Sequence, residues 1–234
     1  MSLNAWLSEG EAVEADWSGH VRRLALRGEL GHARRGALLL DLPALSAPYA
    51  CDPSGCTPGL RAPRTRSCCA DLDVMLSGAE LAAIEAALPD IAASLQASDP
   101  RWTSGAPTWA ASGLLTRPER RCVFAVLGED RSLSCGLHRF EDERALPRGT
   151  VKPLPCRLFP LLVVDLGDDQ HLLTAVSRAN IKNGVPSPRW FPCLRDAARA
   201  TSVADQTAET LVSLWGQHAA RSIRKQTRAF RAQV

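Results

Sequence analysis

The sequence predicts an α+β chain: short β-hairpins and helices around a cysteine-rich metal or cluster site, with a C-terminal amphipathic helix. Three observations lead there. Eight cysteines, at positions 51, 56, 68, 69, 122, 135, 156 and 193, run through a chain of 234 residues. Two pairs of short apolar runs are each joined by a glycine- and acid-bearing turn, the pattern of hairpins. The C-terminal segment repeats apolar residues at helical spacing with basic residues opposite them. Strands and helices do not alternate regularly, which argues against βαβ units.

In chain order, residues 1–36 read as a polar, helix-prone lead-in carrying Trp6 and Trp17, then a basic stretch of Arg22, Arg23, Arg27, Arg34 and Arg35. Ala37–Leu42, bounded by Gly36 and Pro43, reads as a buried strand. Residues 43–70 hold Pro43, Pro48, Pro53, Pro58 and Pro63. Proline at that density excludes a long helix or a central strand. A loop of that length needs a staple or a function, and it carries four of the eight cysteines. Ligation by Cys51, Cys56, Cys68 and Cys69 would close it, so its order is expected to depend on metal.

Ser77 with Glu80 three residues later forms a capping box. Leu81, Ile84, Leu88, Ile91 and Leu95 then recur at helical spacing, with Pro89 expected to kink or split the helix. Residues 98–120 read as loop. Cys122–Leu127, the Gly128-Glu129-Asp130 turn and Leu133–Leu137 predict one hairpin. Leu161–Leu166, Gly167-Asp168-Asp169 and His171–Val176 predict a second. Residues 203–231 predict a helix with Leu211, Val212, Trp215, Ala219, Ile223 and Phe230 on one side. Arg221, Arg224, Lys225, Arg228 and Arg231 fall on the other. The expected organisation is a metal-binding domain over 1–200 with the helix of 201–234 packed on it.

The cysteines carry the chemistry. The N-terminus is acidic and lacks the basic and apolar regions of a secretory signal, and no apolar run is long enough for a membrane span. The cytosol is therefore the expected compartment, where stable disulfides are rare and clustered cysteines bind metal or do redox work. Thiolates suit zinc and iron–sulfur clusters, not magnesium or calcium. The C-x2-C knuckles of common zinc ribbons are missing. Four cysteines from distant segments suit an iron–sulfur cluster, with zinc as the alternative. Adjacent Cys68 and Cys69 are expected to point apart, serving two sites or leaving one thiol to pack. Arg157 could offset an anionic site or lie on the surface. His138, three residues past Cys135, could be a ligand, a donor to one, or structural.

Other functions find no support. G-x-G-x-x-G and G-x4-G-K-[ST] are missing, so no nucleotide motif is present. G-x-S-x-G is missing too. A cysteine protease needs one activated thiol with a histidine, a poor match to eight clustered thiols. The net charge of +3 does not call for nucleic acid. No membrane partner is expected, and the remaining partner class is a protein or peptide. The basic helix face reads as solvated surface.

Read together, Cys51-Asp52-x3-Cys56, the Cys68-Cys69 pair, the Ser77-Gly-Ala-Glu80 helix start and Cys122-Val-Phe form a pattern. Cys135-Gly-Leu-His138, Lys152-Pro-Leu-Pro-Cys156-Arg-Leu-Phe-Pro160, Arg189-Trp190 and Cys193 complete it. The segment 51–193 resembles the bacterial DUF3109 family. It is also similar to the broader YkgJ group of zinc- or iron-chelating domains, which includes flagellin lysine methylases. The interval between Cys56 and Cys68 is longer than in the compact version of the motif. The resemblance implies that all eight cysteines, Cys51, Cys56, Cys68, Cys69, Cys122, Cys135, Cys156 and Cys193, belong to metal sites. By analogy with the methylases, it also implies a metalloprotein supporting modification of a protein or peptide; the alternative is a non-catalytic zinc-binding structural or interaction module.

Overall fold

The computed structural model describes residues 15–51, 67–129, 132–195 and 201–233. Trp6, Cys56, Asp130 and the stretch 52–66 of the proline-rich loop lie outside these residues. The chain divides into two compact units, one of residues 1–51 with 158–234 and one of residues 52–157. Neither boundary falls at residue 200.

The chain opens with α1 (Trp17–Leu26), β1 (Leu30–Ala33), β2 (Leu38–Asp41), α2 (Leu42–Ser46) and β3 (Pro48–Tyr49). The second unit holds α3 (Cys68–Asp71), α4 (Gly78–Gln96), β4 (Ala110–Ala111), β5 (Leu114–Leu115), β6 (Ala125–Leu127), β7 (Leu133–Cys135) and α5 (Gly136–Glu143). Helix α6 (Leu154–Leu158) ends it. Then come β8 (Leu161–Gly167), β9 (Gln170–Ala175), β10 (Thr201–Ser202), α7 (Val203–Gln206) and α8 (Ala208–Arg231).

The first unit is built on a four-stranded sheet of order β1-β2-β9-β8, with β2 and β9 parallel and the other neighbours antiparallel. The expected β8–β9 hairpin is present, and all four β2 residues are buried. Side chains alternate between the faces of a strand. Leu39, Val164 and Leu172 form one face, against Trp17 and Val21 of α1. Leu38, Leu40 and Leu173 therefore take the other face. Helix α2 packs on β9, α8 on β1, and the two helices on each other.

Asp41 links these parts. Its Oδ1 accepts from Ala44 N–H at 3.0 Å, capping α2. Its Oδ2 accepts from Thr174 Oγ1 at 2.7 Å and lies 2.8 Å from His20 Nε2. All three side chains are buried, so the low local dielectric makes these bonds costly to break.

The C-terminal helix is present but not uniform. Gly216 adopts φ 77°, ψ 167°, which is not helical, so the faces do not run straight through it. Leu211, Ala219, Ala220, Ile223 and Thr227 are buried. Trp215 and Phe230 are only half-buried and Val212 is exposed, unlike the expected continuous stripe. Arg221, Lys225 and Arg231 are exposed as expected. Arg228 is exposed too, while Arg224 is half-buried; both converge on Asp205, at 2.7 and 2.8 Å.

Among its described residues the second unit has no extended sheet. Its core is α4, which buries Ile84, Ile91 and Leu95, with α5 packed beside it. The Ser77–Glu80 capping box is present in both directions. Pro89 does not split α4, which runs unbroken for 19 residues. Proline removes one backbone bond, and burial of Ile84 and Ile91 on either side holds the helix through it. Trp102 and Phe124, both fully buried, stack with centroids 5.5 Å apart. The 98–120 segment, expected as loop, contains the small β4–β5 hairpin. The expected hairpin at 122–137 is shorter, pairing Ala125–Leu127 with Leu133–Cys135. The chain turns into α5 at Gly136 because that residue packs too closely for a side chain. A Cβ there would lie 2.6 Å from Leu95 Cδ2 and 2.8 Å from the Phe124 carbonyl oxygen.

Candidate metal centre

Five of the eight cysteines line one cavity inside the second unit: Cys68, Cys69, Cys122, Cys135 and Cys156. None of the five is in a disulfide. They arrive from separate segments, and each segment is tied by its own backbone chemistry.

Cys68 and Cys69 occupy the first turn of α3. Ser67 Oγ accepts from Ala70 N–H at 3.1 Å, while Ser67 N–H donates to Asp71 Oδ2 at 2.8 Å. This reciprocal cap fixes the turn. Both thiols face the same cavity, against the expectation that adjacent side chains would diverge. In the first turn of a helix neighbours differ by about 100°, close enough for both to look into a broad cavity. Cys122 N–H donates to Cys69 O at 2.7 Å, joining the second segment to the first. Cys135 ends β7 opposite Ala125. Cys156 sits on α6, whose start is held by Glu80. One Glu80 oxygen accepts from Leu154 N–H at 2.6 Å, and the other completes the capping box on Ser77. The glutamate that starts α4 thus also places the helix that bears Cys156.

The other wall is apolar: Val74, Leu115, Phe124, Ala125 and Leu137. The cavity encloses about 450 Å³, open solvent at its mouth included. Lys152 is the one cationic side chain that lines it among the described residues.

Burial pushes the Cys122 thiol up to about 12, helped by the neighbouring Cys135. Burial also raises Cys135, and raises Cys156 well above the ordinary range. Cys68 is the exception. A hydrogen bond from Cys69 brings it down to about 7, burial works against this, and the Lys152 charge assists. The same thiol–thiol bond, with burial, raises Cys69. For Lys152, burial works against the charge, but Cys135, Cys156, Cys68 and Cys69 outweigh it and the pKa rises. Any metal that took these thiols as ligands would displace protons from most of them.

The sequence places Lys152 in the Lys152-Pro-Leu-Pro-Cys156 motif but gives it no role of its own. A single lysine has no spacing signal; its place four residues before Cys156 was the available hint. Arg157, for which charge compensation and a surface position were both open, lies with its guanidinium against Gly149, where φ is +84°. Its charge helps hold Glu80 below its ordinary value, after the larger opposed effects of burial and of the Leu154 and Ser77 bonds. His138 does not line the cavity. Burial, then the Lys152 and Arg148 charges, lower its pKa. The neutral ring places Nδ1 3.0 Å from Lys152 Nζ, accepting from the ammonium.

Cys51 and Cys193 belong to the first unit; Cys51 is exposed, and the Cys193 carbonyl accepts from Ala50 N–H at 3.0 Å. Cys56 lies outside the described residues. Among those residues no group of three or more histidine, cysteine or acidic side chains stands ready to hold a single metal ion. No described helix is long and apolar enough to cross a membrane. No family model matches the chain, and no curated protein and no solved structure matches it either.

Proposed function

We propose that the cavity of the second unit binds a metal centre through cysteine thiolates, and that this centre is an iron–sulfur cluster. The observation that carries the reading is the convergence of five thiols from four backbone segments on one cavity, without disulfides. The donor set is chemically suited: thiolates select soft metals and clusters. A zinc ion requires four ligands about 2.3 Å from one point. Thiols drawn from four separate segments suit a multi-atom cluster. The resemblance to the DUF3109 and YkgJ cysteine-cluster families supports the same class of protein.

When bound, such a cluster supplies one-electron chemistry. The chain's own residues supply the rest: the α3 cap, the Cys122–Cys69 backbone bond and Glu80 position thiols, and the apolar wall excludes water. On the methylase analogy, the centre supports modification of a protein or peptide.

Anaerobic purification followed by iron, sulfide and zinc analysis tests the reading. Iron and acid-labile sulfide with visible absorption are expected, and both are lost in Cys135→Ser and Cys156→Ser. A chain that carries zinc and no sulfide overturns the cluster in favour of a zinc-binding module. A chain that carries neither overturns the metal site.

A further inference from the structure

A divalent ion or cluster core held by four thiolates carries two negative charges, and burying them without compensation is costly. The cations near the cavity differ in how far they are already committed. Arg101 contacts both oxygens of Asp99, with Nε at 3.0 and 3.1 Å and Nη2 at 2.6 Å. Its charge is already matched by a buried carboxylate. Lys152 lines the cavity itself. Among the described residues its ammonium has a neutral histidine as partner and no carboxylate in ion-pair reach.

The lysine is also held in place. Its backbone N–H donates to Glu141 Oε1 at 2.8 Å. The N–H groups of Gly149 and Val151 reach the same oxygen at 3.0 and 2.9 Å. Glu141 is fully buried. One carboxylate oxygen therefore gathers the backbone of 149–152. Pro153 follows and restricts the Lys152 backbone to extended conformations. The head is fixed by His138 Nδ1 at 3.0 Å. Among the described residues this partly buried ammonium, held at both ends, has no acidic partner, and it shares the cavity with five thiols.

We propose that Lys152, clamped by Glu141 and His138, is the positioning residue that compensates the charge of the bound centre and so raises its reduction potential. The inference rests on the cluster reading and names the residue that regulates it. A fixed positive charge beside a cluster favours the reduced, more anionic state. Lysine is suited to this as a compact, flexible point charge.

The test compares the anaerobically purified full chain with Lys152→Met and Lys152→Arg. Iron and sulfide are measured first, then the fraction of reduced cluster at fixed ambient potentials. The wild type and Lys152→Arg are expected to titrate together. In Lys152→Met the ratio of reduced to oxidised cluster should fall about tenfold, a shift of about 59 mV for one electron. Lys152→Met that fails to load while Lys152→Arg loads also supports the charge role. Equal potentials for Lys152→Met and wild type at equal cluster content overturn it. So does loss of the cluster from both variants, which would assign the side chain a packing role. A wild-type chain without iron and sulfide refutes the underlying cluster reading instead, and that result is read before any variant is compared.

Discussion

The two units solve the problem of staying folded by different means. Among the described residues of 15–51 with 158–233, four strands of four to seven residues form one sheet with helices packed on it, and the two-residue β3 and β10 form a separate pair. Its polar interior, Asp41 with His20 and Thr174, is internally satisfied. Residues 67–157 have strands of two or three residues and short helices, apart from α4 and α5. Their interior places five thiols and one ammonium around a cavity. The first interior links its polar groups around Asp41, although Ser177 Oγ, Asn180 Oδ1 and Asn183 Nδ2 are buried without a protein partner among the described residues. In the second, burial raises the Cys135 and Cys156 thiols, and among the described residues the ammonium has a histidine and no carboxylate as partner. The proposed centre belongs to the unit that gathers five thiols and an ammonium around a cavity.

The sharpest way to break this comparison is to damage each core. Phe124 is fully buried, stacks on Trp102 and lines the cavity. Phe124→Ala should cost about 3–5 kcal/mol and lower the metal content. Leu40 is fully buried in the sheet. Leu40→Ala should cost about 2–5 kcal/mol with metal content per folded chain unchanged. Denaturant melts with metal analysis check both. Metal loss of the same size in the two variants would remove the distinction between the units.

A smaller effect separates the two halves of α8. Ile223→Ala should cost about 2–5 kcal/mol as a buried truncation. Trp215→Ala should cost only about 1 kcal/mol, because the indole is half-buried and surface changes are small. The reverse order would mean that Gly216 does not redirect the helix.

The smallest effect concerns Asp205. Burial tends to raise its pKa, but bonds from Arg228, Arg224 and Ser202 outweigh this and lower it to about 2 from an ordinary 3.8. A carboxylate depressed in the folded state stabilises above its unfolded pKa and loses that contribution as pH falls toward the folded value. The loss therefore falls between pH 3.8 and about 2. With solvent screening it amounts to about 1 kcal/mol or less. Acid titration of the wild type against Asp205→Ala should show the difference between the two shrinking through that window. A constant difference would mean the ion pairs contribute nothing.

Much of the frame was legible because its signals are local. The Ser77–Glu80 capping box, the turn at Gly167-Asp168-Asp169 and the apolar period of the last helix need only neighbouring residues. What escaped depended on contacts distant in sequence. Helix α5 was hidden because Leu133–Leu137 looks like a strand; Leu95 and Phe124, packed on Gly136, turn the chain there. Pro89 looked like a break because the burial that carries α4 through it is tertiary. Five cysteines of the site were named from the sequence. Their common cavity depends on the Cys122–Cys69 backbone bond and the Glu80–Leu154 bond, which no spacing encodes. The role of Lys152, though the residue stands in the quoted motif, was illegible for the same reason, since Glu141 and His138 give it its place.

The central claim, that a thiolate-bound centre completes the second unit and not the first, is tested most directly by hydrogen exchange on the loaded chain and on the same chain after metal removal. Amides of α3, β6, β7 and α6 should lose protection on metal removal, while those of β2, β8 and β9 keep it. Unchanged protection throughout residues 67–157 would contradict the account, as would equal loss in both units.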